Sequence, residues 1–134
     1  EALAAALESQ RSQVRARSAG KKRLKVLLLY GYSPLVVAGP HSFAHELLLD
    51  VGAENLAADA SGPYPVYSAE RAARLKPDVI LEASDTQEGR EALRRLPGLR
   101  DARWVALPTK SLLQPGPRLV QGLTELEAAL RPPR

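Results

Sequence analysis

The most informative segment for architecture is "LKVLLLYGY", Leu24 to Tyr32. It is a nearly continuous apolar run of strand length, not an alternating one, and such a run suits a central parallel strand buried on both faces. Glycine and proline break it at once, so the chain must turn there. Upstream, residues 1 to about 19 read as a helix with Leu3, Leu7 and Val14 on one stripe and Gly20 ending it. A helix of that length reaches about 30 Å, more than a small domain needs for its own closure. Between helix and strand lies the basic cluster "KKRLK", Lys21 to Lys25, read as a solvated strand entrance.

Downstream, strands and helices alternate. "GPHSFAHELLLDVGAEN" gives a turn, a helix from about Ser42 to Val51 and Gly52 as its C-terminal cap, and 55–57 could add a short strand. Ser68 caps a helix over Ala69 to Leu75, which stops before Pro77 because the residue before a proline avoids the helical region. "DVILEAS" is the next buried strand. A helix near Gln87 to Leu96, an "LPGL" turn, the strand "RWVAL", a proline-rich loop and a last helix near Pro117 to Leu130 complete the pattern. The alternation predicts an α/β fold, a small parallel sheet flanked by helices on both faces and joined by right-handed crossovers.

The bulk properties bound the function. At 134 residues the chain fits one domain, and 45% hydrophobic with 25% charged residues exclude a disordered, collagen-like or coiled-coil class. There is no cysteine, hence no disulfide framework and no thiolate metal site. No apolar run is long enough to span a bilayer, and "EALAAALESQ" lacks the pattern of a secretory signal. The net charge of +4 comes mainly from arginines scattered over helical faces, without the interleaved aromatics of a nucleic-acid module. Neither GxGxxG, GxxxxGK[ST] nor GxSxG occurs, which argues against phosphate cradling and a nucleophile elbow. His41 and His45 stand four apart at a helix start and could share a face, but no third metal ligand is indicated.

Ligands of open parallel sheets bind outside the carboxyl ends of the strands. The loops gathered there are "YGYSPLVVAGP", the region of "SGPYPVYS", "EASDTQ" and "PTKSLLQPGP". Tyr30, Tyr32 and Tyr64 fall on or beside them while the core is aliphatic, as a flat hydrophobic ligand favours. Tyr64 sits between Pro63 and Pro65, whose fixed φ angles cut the loop's freedom, so its ring loses less entropy on binding. The alternative is a ring covering its own domain's edge. Glu70 lies in a first helical turn, where the macrodipole favours a carboxylate by about 0.3 to 1 kcal/mol; it is either a stabilising charge or an oriented acid that pairs with an arginine of another protein.

These pieces, in order, resemble a known family. "SPLVVAGPHSFAHELLLDVGAENLA", "YPVYSAE", "LKPDVILEAS", "LPGLRDARWVALP" and "PGPRLVQGLTELEAAL" are similar to the carboxyl-terminal lobe of substrate-binding proteins for ATP-binding-cassette (ABC) importers, of the cobalamin, haem and siderophore class, over about residues 24 to 130. The resemblance implies two α/β lobes joined by one long helix, with ligand in the cleft between them. Residues 1–22 would be the end of that helix and 23–134 the carboxyl-terminal ligand-binding lobe; the amino-terminal lobe and export signal lie outside this chain. It implies no catalysis and no intrinsic cofactor. The implied ligand is cobalamin or a related metal complex, with haem or a ferric siderophore as the alternative, and the implied partner is an ABC permease, met by Glu70. The ligand would be packed by Tyr64 and by Tyr30, Tyr32 and Val36 of the loop after the first strand. Where cobalamin binders place an acid and an arginine after the last strand, Lys110 and Gln114 stand here. The implied location is the periplasm or the cell surface as a lipoprotein, and a lone lobe with an exposed cleft wall could pair with a second copy. The rival classes are an α/β enzyme or regulatory domain and a basic nucleic-acid module.

Overall fold

A computed structural model describes residues 2–18, 23–84, 87–107, 124 and 127–130. Helix α1 (Ala2–Ser18) precedes the strand β1 (Lys25–Tyr32). The chain continues through β2 (Leu35–Val37), α2 (Phe43–Asp50), β3 (Glu54–Asn55), β4 (Val66–Tyr67), α3 (Ala69–Leu75), β5 (Val79–Glu82), α4 (Arg90–Arg94) and β6 (Arg103–Ala106). Strand order along the sheet is β4-β2-β1-β5-β6, with β3 paired to the beginning of β1.

The apolar run of β1 is central, as its composition demands. Val26 and Leu28 enter one core with Val14 of α1, Ala44 and Leu48 of α2, and Val79 and Leu81 of β5. Leu27 and Leu29 enter the other, with Ile80 of β5, Ala72 of α3, Leu93 of α4 and Leu99. Each fully buried aliphatic chain contributes about 1.5–3 kcal/mol of apolar transfer, so a strand that feeds two cores cannot alternate with polar residues.

The sheet departs from the expected parallel arrangement in one half. β3, β1, β5 and β6 run parallel, but β2 and β4 are antiparallel additions at the β1 edge. The sheet is therefore mixed. Residues read as part of a loop, "LVV", form β2 because a tight turn at Ser33 and Pro34 returns the chain along β1 with no room for a crossover helix.

Local signals account for most helix boundaries. The Ser42 hydroxyl accepts from the His45 N–H at 3.1 Å and the Ser68 hydroxyl from the Arg71 N–H at 3.1 Å, each satisfying a donor that the first helical turn leaves open. α4 is shorter than expected because residues 88 and 89 form a turn, with Gly89 at φ 87°. At Gly98 (φ 94°) a Cβ would stand 2.3 Å from the Ala73 carbonyl oxygen, so glycine alone lets the "LPGL" turn rest on α3. α1 is tied to α2 by Asp50, a buried carboxylate that accepts from Arg11 Nε at 2.5 Å and Arg15 Nε at 2.9 Å. Of the expected last helix, residues 124 and 127–129 are helical, Leu130 is in a turn, and the rest lies outside the described residues.

Candidate functional site

The site begins with an irregularity in β1. In the β1–β2 ladder Leu29 faces Val37, but Gly31 faces Val36 and Tyr32 faces Leu35, so one residue, Tyr30, is extra. This is a β-bulge, and a bulge re-aims the side chains that follow it. In a regular strand Tyr30 and Tyr32 would share a face. Here Tyr30 joins the edge of the α1/α2 core and Tyr32 is buried in the α3/α4 core.

Tyr64 is mounted on the same side as Tyr30. β2 and β4 pair with Val36 opposite Val66 and Leu35 opposite Tyr67. Beyond β4 the ribbon goes on, since Val37 N–H donates to the Pro65 carbonyl at 3.1 Å and Gly39 N–H to the Pro63 carbonyl at 2.9 Å. Pro63 and Pro65 have no N–H of their own, so these two carbonyls are the loop's backbone anchors on either side of Tyr64. The approach is close: a Cβ on Gly39 would meet the Gly62 carbonyl oxygen at 2.3 Å and Pro65 Cδ at 2.8 Å. Between the anchors the Tyr64 ring stands edge-on to Tyr30, with centroids 5.6 Å apart and planes at 68°, a favoured geometry for two aromatic quadrupoles.

Leu35, Val37 and Tyr67 point into the α3/α4 core, so alternation turns Val36, Val66 and Tyr64 to the opposite face. That face is a continuation of the α1/α2 core which no described helix covers. Exposure rises along it from Ala38, fully buried, through half-buried Tyr30 and Val36, to Tyr64 at 52% and Val66 at 63%. Burial, helped by the neighbouring Tyr64, raises the Tyr30 phenol well above its ordinary pKa, so it stays neutral. The result is a rigid, uncharged, largely apolar wall. It can hold a flat or bulky hydrophobic ligand by contact, and among the described residues nothing in it is arranged as a nucleophile and base. Val66 escaped the sequence reading, although its period-two relation to Tyr64 in "YPVY" carries the signal.

Tyr32 is corrected by this geometry. It is 5% exposed and its hydroxyl donates to Glu82 Oε1 at 2.8 Å, so it forms part of the interior and does not face a ligand. Glu82, itself buried, also accepts from the Arg90 Nε and, at 3.3 Å, from Arg90 Nη2. Burial first, and then the carboxylate, push the Tyr32 phenol up to about 12. The other candidates scatter. Glu70 is exposed in the first turn of α3 and has no ion-pair partner among the described residues. His41 is exposed at φ 67°, whereas His45 turns its Nδ1 to Asn55 Nδ2 at 3.1 Å. Lys110 and Gln114 lie outside the described residues.

No protein-family profile matches the chain. Among curated proteins it is 33% identical over 82 residues to the vitamin B12-binding protein of Salmonella choleraesuis (strain SC-B67), a match covering 61% of this chain and 31% of that protein. Among solved structures, the periplasmic heme-binding protein RhuT of Roseiflexus sp. RS-1 superposes with a TM-score of 0.74 at 31% identity, covering 95% of this chain and 53% of that one. An ABC transporter substrate-binding protein of Listeria monocytogenes EGD-e gives a TM-score of 0.80 over 96% of this chain and 55% of its own, a likeness of fold at 24% identity. The chain thus spans about a third of the curated relative and about half of each solved one. In sequence and in fold alike, it is similar to periplasmic proteins named for binding vitamin B12 and haem, and its match spans only part of their length.

Proposed function

We propose that the chain is one lobe of a two-lobed substrate-binding protein that captures a bulky metal complex, of the cobalamin or haem type, and delivers it to an ABC permease. Residues 23–134 form the ligand lobe and 1–22 the end of the helix leading to its partner lobe. The observation that carries this reading is Tyr64: a half-exposed ring, fixed between two anchored prolines and braced by Tyr30, at the head of an apolar face that no described helix covers. The likeness to proteins named for binding vitamin B12 and haem supports the ligand class, and their periplasmic setting supports a place outside the cytoplasmic membrane, free or as a lipoprotein. Tyr30, Val36, Tyr64 and Val66 supply the apolar contact, and Lys110 and Gln114, which follow β6 in the sequence and lie outside the described residues, are the candidates for polar contacts. The chain binds and releases; it makes and breaks no covalent bond.

Glu70 has a separate task. Exposed, and favoured at a helix start, it offers an oriented carboxylate to an arginine of the permease. Calorimetric titration with cyanocobalamin and haemin tests the first half. Tyr64→Ala should weaken binding of the preferred ligand about 10- to 100-fold, as removal of a rigid aromatic anchor does. In the two-lobed protein, Glu70→Gln should leave that affinity unchanged and lower uptake. Parent-like binding by Tyr64→Ala removes the ligand assignment, and parent-like uptake by Glu70→Gln removes the docking one.

A further inference from the structure

Asn55 lies in β3, next to neither Tyr64 nor any exposed apolar residue in sequence, and it is 4% exposed. Its amide oxygen and both amide hydrogens are engaged. Oδ1 accepts from the Ala57 N–H at 3.0 Å, and Nδ2 donates to the Ala38 carbonyl at 3.0 Å and faces His45 Nδ1 at 3.1 Å. The first two contacts fix which end of the amide is oxygen, because the reverse would oppose carbonyl to carbonyl and N–H to N–H. Nδ2 is therefore a donor toward His45, and Nδ1 of His45 must be the acceptor. Both amide hydrogens are used, one of them on the peptide group that joins Ala38 to Gly39.

That peptide segment is held from every side. Ala38 N–H donates to the Leu28 carbonyl at 2.9 Å, and the Gly39 carbonyl accepts from the Ser42 hydroxyl at 2.8 Å. Gly39 N–H is one of the two anchors of the Tyr64 loop. Asn55 thus reaches the ligand wall through one intermediate, the Ala38–Gly39 peptide. We infer that Asn55, oriented by His45, is a positioning residue for the wall: it aims the Gly39 N–H at the Pro63 carbonyl and thereby fixes the angle at which Tyr64 is presented. The functional meaning rests on the reading of Tyr64 as a ligand contact, but the mechanical coupling does not.

Amide hydrogen exchange without ligand reads that coupling directly. Asn55→Asp removes both donors and sets a carboxylate against the Ala38 carbonyl. Exchange of the Gly39 N–H should then accelerate about tenfold or more, while the Ala83 N–H, bonded to Leu29 in the centre of the sheet, keeps its parent rate. His45→Ala should accelerate Gly39 in the same sense. His45→Asn, whose side-chain oxygen can stand where Nδ1 stands, should restore it to within about threefold of the parent. If Asn55→Asp fails to fold, the two His45 variants decide alone. A Gly39 rate equal in parent and His45→Ala, no rescue by His45→Asn, or acceleration of Ala83 in step with Gly39 overturns the inference. Cyanocobalamin or haemin affinity is then measured on the same variants: fast Gly39 exchange with unchanged affinity leaves the coupling standing and removes the ligand role of Tyr64.

Discussion

Two tyrosines two residues apart in one strand meet opposite fates. Tyr30 leans on the rim of the α1/α2 core and braces an exposed ring on a second loop. Tyr32 is swallowed by the α3/α4 core, where its hydroxyl closes a buried triad with Glu82 and Arg90. The chemistry of the side chains is identical, so the difference comes from the backbone, from the one-residue bulge that reverses the alternation between them. What this teaches is that the interior network fixes the end of β1 and the start of α4, while the rim projects what the network holds steady.

The largest expected effect tests the interior half. Glu82→Ala leaves the Arg90 guanidinium and the Tyr32 hydroxyl without their buried acceptor, and should cost about 3 kcal/mol of unfolding free energy in denaturant titration. A loss under about 1 kcal/mol would mean that the triad is a surface-like pair of little weight. Next comes Gly39→Ala, whose Cβ has no space against Gly62 and Pro65. It should cost about 2 kcal/mol and, because it pries the loop from β2, weaken binding of cyanocobalamin or haemin well beyond what that destabilisation explains. Unchanged affinity in a folded Gly39→Ala protein would separate the loop's mounting from its function. The smallest effect is a pH dependence. Tyr32 ionises near 10 when unfolded but at about 12 in the fold, so the folded state holds the proton more tightly. Its contribution is whole below pH 10 and is lost as pH rises from about 10 to about 12. Tyr32→Phe should flatten the fall in stability across that window, and an unchanged slope would deny the buried environment.

Much of this was legible in the residues. The unbroken apolar "VLLL" required a strand between two cores, and Ser68 with Pro77 bracketed α3 at both ends, because capping and proline sterics act locally. The Pro63–Tyr64–Pro65 mounting was legible for the same reason. The antiparallel β2 and β4 were not, since Leu35–Val37 is too short for its own periodicity to speak and its pairing partner lies some thirty residues on. Nor was the bulge. An extra residue in a ladder is a property of two strands together, so pattern reading grouped Tyr30 with Tyr32 and missed Val66. Glu82 and Asn55 were silent in sequence because a buried polar side chain announces itself only through partners that the fold supplies.

On the proposed function, ligand lands on the continuation of one core face that no described helix covers, headed by Tyr64. Two-dimensional NMR titration of the chain with cyanocobalamin and with haemin tests it most directly, and tolerates weak binding by a single lobe. Shifts should gather at Tyr30, Val36, Tyr64 and Val66, with Trp104 and its flanking Arg90 and Arg94 on the opposite face unmoved. Shifts centred on Trp104, or none with either ligand, would contradict it.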